Sequence, residues 1–332
     1  MPLLNLSDWG AVYIMASVGL ACKDDEVFMQ AVEAVTDKQQ AKELSDALLP
    51  YEQDYVKEKL RTLIVHTNPW IRVASIETMK HQDIQPDASL MQQLLQDESS
   101  EVKVSTLTLI GKQKHKAYTQ EVKSYLEHEE ESVKYAAAYA GSMLKIPQAY
   151  QTLQTFCFSS NPYLREALSL LYHVIKEEKA YEVYEHISKQ HLSASIKAYN
   201  IAMAGYVDAI PLLISDMYVL ENAPYCAEAF CFITGVNLED EDLIRVENLN
   251  EEEEERLRVA YKANAYAQSH EEDLPMPDVE LVRQWWRENH QQYVKGTRYL
   301  AGKTLTTKNL EEIKQSGTQA QRKVAEIVLS LR

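Results

Sequence analysis

Four cysteines and a recurring histidine are the residues of this chain whose types could do chemistry. Cys22, Cys157, Cys226 and Cys231 could in principle bind a soft metal, pair as disulfides or act as nucleophiles. None forms a Cys-x-x-Cys pair. Cys226 and Cys231 are five apart, which points them in different directions on a helix. Their scatter predicts reduced, buried thiols in a cytosolic, cytoplasmic protein. His66, His128 and His191 fall at one position of the internal repeat set out below. Stacked units lie ~10 Å apart, so His128 and His191, two units apart, cannot share a zinc ion bound at about 2.0–2.1 Å. Glu251 to Glu255 is an unbroken acidic run without the alternating spacing that folds carboxylates around calcium. There is no Gly-rich phosphate loop, no H-E-x-x-H and no G-x-S-x-G. No catalytic residue, cofactor or metal is expected, and function is sought on the surface.

Surface chemistry has better candidates. Tyr135 and Tyr139 are four apart, hence on one helix face, beside Lys134 and one repeat from Arg165 and Glu166. Tyr and Arg are enriched at binding hot spots. The same side chains could instead pack between repeats, with the Lys/Arg column lying over the stack, and both readings stand at this level. Trp285 and Trp286, adjacent on a helix, are expected to face differently, one into the core and one to a rim or under the acidic segment. Arg298, in Gly296-Thr297-Arg298-Tyr299-Leu300-Ala301-Gly302, completes the set of partner-binding candidates.

The elements that must position these residues are helices. The 332-residue chain is 45% hydrophobic, enough for a sizeable core, and its 9 Gly and 10 Pro leave little room for a loop-rich fold. Its 20 Tyr against 5 Phe suit helix faces that bury a ring and keep a polar tip wet. Net charge is -16 with no basic run, which argues against nucleic acid or anionic lipid as a partner. No stretch reaches the ~18 apolar residues of a membrane span. The apolar run Ala11 to Cys22 follows Asp8 and no Lys or Arg, so it reads as a first helix and not as a cleaved leader.

An internal repeat organises the chain. Ile71-Arg72, Val102-Lys103, Val133-Lys134, Leu164-Arg165 and Ile196-Lys197 recur at spacings of 31, 31, 31 and 32 residues, with a sixth copy at Cys226. Three residues after the apolar anchor stand Ala74, Ser105, Ala136, Ala167 and Ala229, small enough for two helices to approach closely. Gly111, Gly141, Gly205 and Gly235 close the same helix. Asn68-Pro69, Asn161-Pro162 and Ala223-Pro224 precede it, because Pro just inside a helix start removes an N–H that would be unpaired anyway. A second amphipathic segment lies between successive copies. Each unit is therefore a helical hairpin that cannot bury its faces alone and must stack.

Over about residues 40–235 this pattern resembles the HEAT-repeat family, whose second helix opens Val-Arg-x-x-Ala. The resemblance implies an all-α superhelix (an α-α solenoid) with second helices lining a concave face. It also implies an aspartate six residues before the basic residue. Only Asp97 matches; His66, His128, Ser159 and His191 hold the equivalent positions.

After Gly235 the register breaks. Residues 237–280 hold 15 acidic and 4 basic residues, either a solvated helix or loop, or an electronegative patch that steers a basic partner. A turn at Leu274-Pro275-Met276-Pro277-Asp278, the Trp pair, the Gly-x-Arg-Tyr-Leu-x-Gly stretch and Gly317-x-Gln319-x-Gln321-Arg322 resemble an uncharacterised bacterial family. Its members join HEAT-like repeats to such a C-terminal region, often among type VI secretion genes. The expected organisation is an N-terminal helical cap (1–39), HEAT-like repeats (40–235), an acidic insertion or linker (236–280) and a helical C-terminal cap with a terminal repeat (281–332). The expected function is a non-catalytic protein-binding scaffold: an adaptor or chaperone that loads a secreted effector, or an immunity protein that masks one. The competing expectation is an enzyme or small-ligand protein on the same scaffold, as in bilin lyases, with nucleic acid a third reading.

Overall fold

A computed structural model describes residues 10–159, 161–175, 177–190, 192–246, 249–263 and 274–332. The protein is all-α and HEAT-like, and it divides into two compact units, Met1–Leu153 and Gln154–Arg332. The division falls inside the predicted repeat stretch.

In the first unit the described helices are α1 (Ala11–Cys22), α2 (Asp25–Glu33), α3 (Lys38–Leu48), α4 (Gln53–Leu63), α5 (Pro69–His81), α6 (Ala88–Leu95), α7 (Ser100–Lys112), α8 (Thr119–Tyr125) and α9 (Glu131–Met143), and α10 (Pro147–Cys157) runs across the boundary. The second helices of the repeats, α3, α5, α7 and α9, pack one against the next, and α4, α6 and α8 each pack on the second helix that follows. Starts are set by caps: Asn68 Oδ1 accepts from the Trp70 N–H at 2.9 Å, with Pro69 in the first turn. Asp87 Oδ1 accepts from the Leu90 N–H at 2.9 Å. Leu60, Leu63, Ile71, Ile76, Met91 and Leu107 are among the largest fully buried side chains. Each such burial stabilises by roughly 1.5–3 kcal/mol over exposure.

Glutamine adds a second tie between successive repeats, at the same 31-residue period. Gln82 Nε2 donates to the Leu48, Leu49 and Tyr51 carbonyls at 3.3, 3.2 and 2.9 Å. Gln113 Nε2 donates to the Met79 and Ile84 carbonyls at 3.3 and 3.2 Å. Each adds a side-chain bond to carbonyls at or just past the end of a helix.

The second unit holds α11 (Leu164–Val174), α12 (Glu177–Ser188), α13 (Ala194–Ala204), α14 (Ile210–Asp216), α15 (Ala223–Thr234), α16 (Glu251–Ala263), α17 (Val279–Asn289), a two-stranded hairpin of β1 (Tyr299–Leu300) and β2 (Lys303–Thr304), α18 (Thr307–Ser316) and α19 (Gln319–Leu331). Helices α11, α13 and α15 pack in series, and α19 packs back on α11. The hairpin turns through Ala301 and Gly302, both at positive φ (51° and 73°), as a two-residue loop requires.

The run Glu251 to Glu255 is accounted for by helix chemistry. Asn250 Oδ1 accepts from the Glu253 N–H, and Glu253 Oε2 accepts from the Asn250 N–H, both at 3.0 Å. This reciprocal cap starts α16, and Glu251–Glu254 fill its first turn, where negative charge complements the helix dipole. The backbone bond from Asn250, then Arg245, holds the Glu253 carboxyl below its ordinary range. Arg256 pairs with Glu221 at 2.7 Å and Arg258 with Glu255 at 2.6 Å. Residues 264–273 of the expected insertion lie outside the described residues.

Candidate partner-binding surface

The basic column of the repeats starts at Arg72. Its guanidinium forks onto Asp97, Nε to Oδ2 at 2.9 Å and Nη2 to Oδ1 at 2.8 Å, while Nη1 donates to the His66 carbonyl at 2.6 Å and the Thr67 carbonyl at 2.9 Å. One rung of the aspartate ladder is thus present, joining α5 to the turn before α7. The turns before α5 and α9 are pinned by imidazole. His66 Nδ1 accepts from the Asn68 N–H and His128 Nδ1 from the Glu130 N–H, each at 3.1 Å. His191, at the same register, lies outside the described residues.

On α9 the candidates Lys134, Tyr135 and Tyr139 are all half-buried. A Cβ added at Gly111 would come within 2.8 Å of Ala140 Cα and 3.0 Å of Tyr139 Cε1. Gly111 therefore lets α7 and α9 close up, with the Tyr139 ring laid over it. Burial pushes the Tyr139 hydroxyl above its ordinary range. The Tyr139 ring packs against the neighbouring repeat at Gly111, and all three side chains keep part of their surface exposed.

In the second unit Arg165 is buried and Glu166 exposed. The Arg165 guanidinium lies 5.0 Å from the centroid of the Tyr199 ring, a cation–π contact. Tyr199 stands three residues after the anchor Ile196, where the other repeats keep Ala or Ser. That break in the small-residue register was the one sequence signal for it. Burial pushes the Tyr199 hydroxyl up to about 12, opposed by the Arg165 charge and reinforced by Glu166.

The two tryptophans do not divide into one inside and one outside. Both are half-buried, and both set an edge against Phe230 of α15, Trp285 at 5.7 Å and Trp286 at 6.5 Å between centroids. Residues 100° apart on a helix straddle a single ring when the rings are this large. Trp286 continues into Tyr293 at 5.3 Å, and Tyr293 into Tyr299 at 5.2 Å.

Arg298 is buried, and its guanidinium serves the chain itself. Nε donates to the Ala204 carbonyl and Nη1 to the Tyr172 carbonyl, both at 2.7 Å, and Nη2 to the Met203 carbonyl at 3.2 Å. The group also lies 5.9 and 6.0 Å from the Tyr172 and Tyr206 rings. A partner has no access to it in this fold. The hairpin extends the same clasp: the Tyr299 N–H donates to Gly205, Ala301 to Phe232 and Gly302 to Ile233, at 2.8, 2.8 and 2.9 Å. The end carbonyls of α13 and α15 are closed by this hairpin, and Gln321 Nε2 adds bonds to the Cys231 and Phe232 carbonyls at 3.4 Å. Arg298, Tyr299, Ala301, Gly302 and Gln321, which lie in the stretches that carry the C-terminal resemblance, are thus parts of one helix-capping device.

The remaining reactive types are placed as follows. Cys157 and Cys226 are buried, Cys231 half-buried and Cys22 exposed. Burial raises the Cys226 and Cys231 thiols to about 12 and Cys157 further. Among the described residues no group of three or more His, Cys, Asp or Glu side chains could hold a metal ion, and no helix is long and apolar enough to cross a membrane. The pocket lined by His173 and Arg298 holds about 10 Å³, room for about one water molecule.

The family model described as HEAT repeats matches residues 88–171. The match covers α6 to α9 and reaches into α11, the stretch that holds Asp97, Gly111 and the candidates Lys134 to Glu166. The HEAT repeats match where the 31-residue register is cleanest. No curated protein matches the chain.

Proposed function

We propose that this protein is a non-catalytic scaffold that binds another protein through the second helices of its HEAT-like repeats. The observation that carries the reading is the character of those helices. On α9, Lys134 and Tyr135 keep part of their surface open, and on α11 Glu166 is exposed beside the Arg165–Tyr199 stack. The net charge of -16 suits a basic partner, through faster encounter as well as complementarity.

The finer reading rests on the C-terminal resemblance: an accessory of a type VI secretion cluster, acting as an adaptor that loads an effector or as an immunity protein that masks one. The test is co-purification with each product of the neighbouring genes, followed by calorimetry. A partner retained at about micromolar Kd, with Tyr135→Ala or Glu166→Lys weakening it about tenfold, supports the reading. A full set of neighbours with none retained overturns the secretion role, and a partner indifferent to both substitutions overturns the surface.

A further inference from the structure

Four of the turns that open the second helices share one device: a side-chain acceptor takes the backbone N–H two residues on. Before α7 it is Asp97, whose Oδ1 accepts from the Ser99 N–H at 2.9 Å. Before α11 it is Asn161, whose Oδ1 accepts from the Tyr163 N–H at 2.8 Å. Before α5 and α9 it is imidazole Nδ1, of His66 and His128, at the same 3.1 Å in both repeats. An imidazole nitrogen accepts only while it carries no proton, so these two rings are held with hydrogen on Nε2. A carboxylate has lone pairs to spare after one protonation, and an amide oxygen does not titrate. Imidazole is the side chain that takes up a proton between about pH 5 and 8.

We infer that the turns before α5 and α9 are proton-operated pins, released when His66 and His128 charge, while the Asp97 and Asn161 turns stay closed. Carboxylates lie close to both rings. On His66, Nε2 faces Glu33 Oε1 of α2 at 3.4 Å. The Arg72 guanidinium of α5 is turned to the His66 carbonyl and neutralised by Asp97. His128 stacks at 5.8 Å on Tyr125 of α8 and is flanked by Glu127, Glu129, Glu130 and Glu131, all exposed. A proton arriving at Nδ1 sets an N–H against an N–H. Release reaches the helix directly, because the Glu130 carbonyl accepts the first bond of α9, from the Lys134 N–H at 2.9 Å.

Backbone amide exchange followed by NMR at about pH 7.5 and about pH 5.5, corrected for intrinsic rates, decides the matter in the unmodified protein. Protection at Asn68 and Glu130 falls about tenfold on acidification, as loss of one such bond implies, while Ser99 and Tyr163 hold theirs. The His66→Asp and His128→Asp variants, which install the residue of the Asp97 turn, keep their protection at the lower pH. Parallel behaviour of all four amides in the wild type overturns the inference, whether or not the variants fold. Equal loss in folded Asp variants overturns it as well.

Discussion

Arg298 donates to the carbonyl of Tyr172 at 2.7 Å across 126 residues of sequence. This bond ties the hairpin of the C-terminal region to the end of α11, and the same guanidinium closes carbonyls at the end of α13. Truncating it strands three buried acceptors. Arg298→Ala should therefore destabilise the protein by about 3 kcal/mol, read by urea denaturation. Arg298→Lys should recover less than half of this, because an ammonium cannot reproduce the planar fork.

Gly205 and Gly235 are bound to the same clasp by their backbone. Both adopt positive φ (74° and 77°), and a Cβ would meet the Tyr299 carbonyl oxygen at 2.8 Å in the first and Ala301 at 2.6 Å in the second. Gly296 has a similar φ of 74° and open space around it. Alanine at position 296 should cost about 1 kcal/mol from the left-handed conformation alone. At 205 or 235 it should cost clearly more, since backbone must also move. Thermal unfolding of the three single variants makes the comparison, and equal losses would show that the close approach is unimportant.

The Arg72–Asp97 fork is mostly shielded, with side chains 15% and 11% exposed. A double-mutant cycle with Arg72→Ala and Asp97→Ala should return a coupling of about 1–3 kcal/mol. A value below about 0.5 kcal/mol would place it among exposed surface pairs.

Thiol reactivity follows burial. The Cys226 and Cys231 thiols are raised to about 12, and Cys157 higher, so at about pH 8 fewer than one in a thousand of these groups is thiolate. Native protein should show one rapidly titrated thiol, the exposed Cys22, and all four of the sequence after unfolding in denaturant. For Cys157, Cys226 and Cys231 the direction is a pKa raised by folding. Their neutral thiols are compatible with the fold throughout the neutral range, and stability falls only as pH rises through the value of the free thiol, about 8.5.

Much of the architecture was legible because helical hairpins are local objects. The recurrence of anchor, basic residue and small residue at 31-residue steps encodes periodicities of 3.6 and turn signals that act within a few residues. The Asn68 cap, Pro69 and the chain reversal at each repeat follow from nearest-neighbour chemistry. The candidate set was legible by type and only partly by role. Tyr135, Lys134 and Glu166 keep accessible surface, while Arg298 is buried and Tyr139 lies over Gly111.

What the sequence by itself determined is the unit and its repeat: which residues face a core, where each second helix begins, and that such units must stack. Only the tertiary structure decided what the departures from the repeat do. Tyr199 in a small-residue position receives Arg165, Gln82 and Gln113 reach the carbonyls of the preceding repeat, and His66 and His128 stand in for a missing aspartate. The Gly-x-Arg-Tyr-Leu-x-Gly stretch closes helix ends some 70 to 130 residues away. Partners separated by so much chain leave no periodic trace, because nothing in a local window distinguishes an arginine bound for solvent from one bound for buried carbonyls.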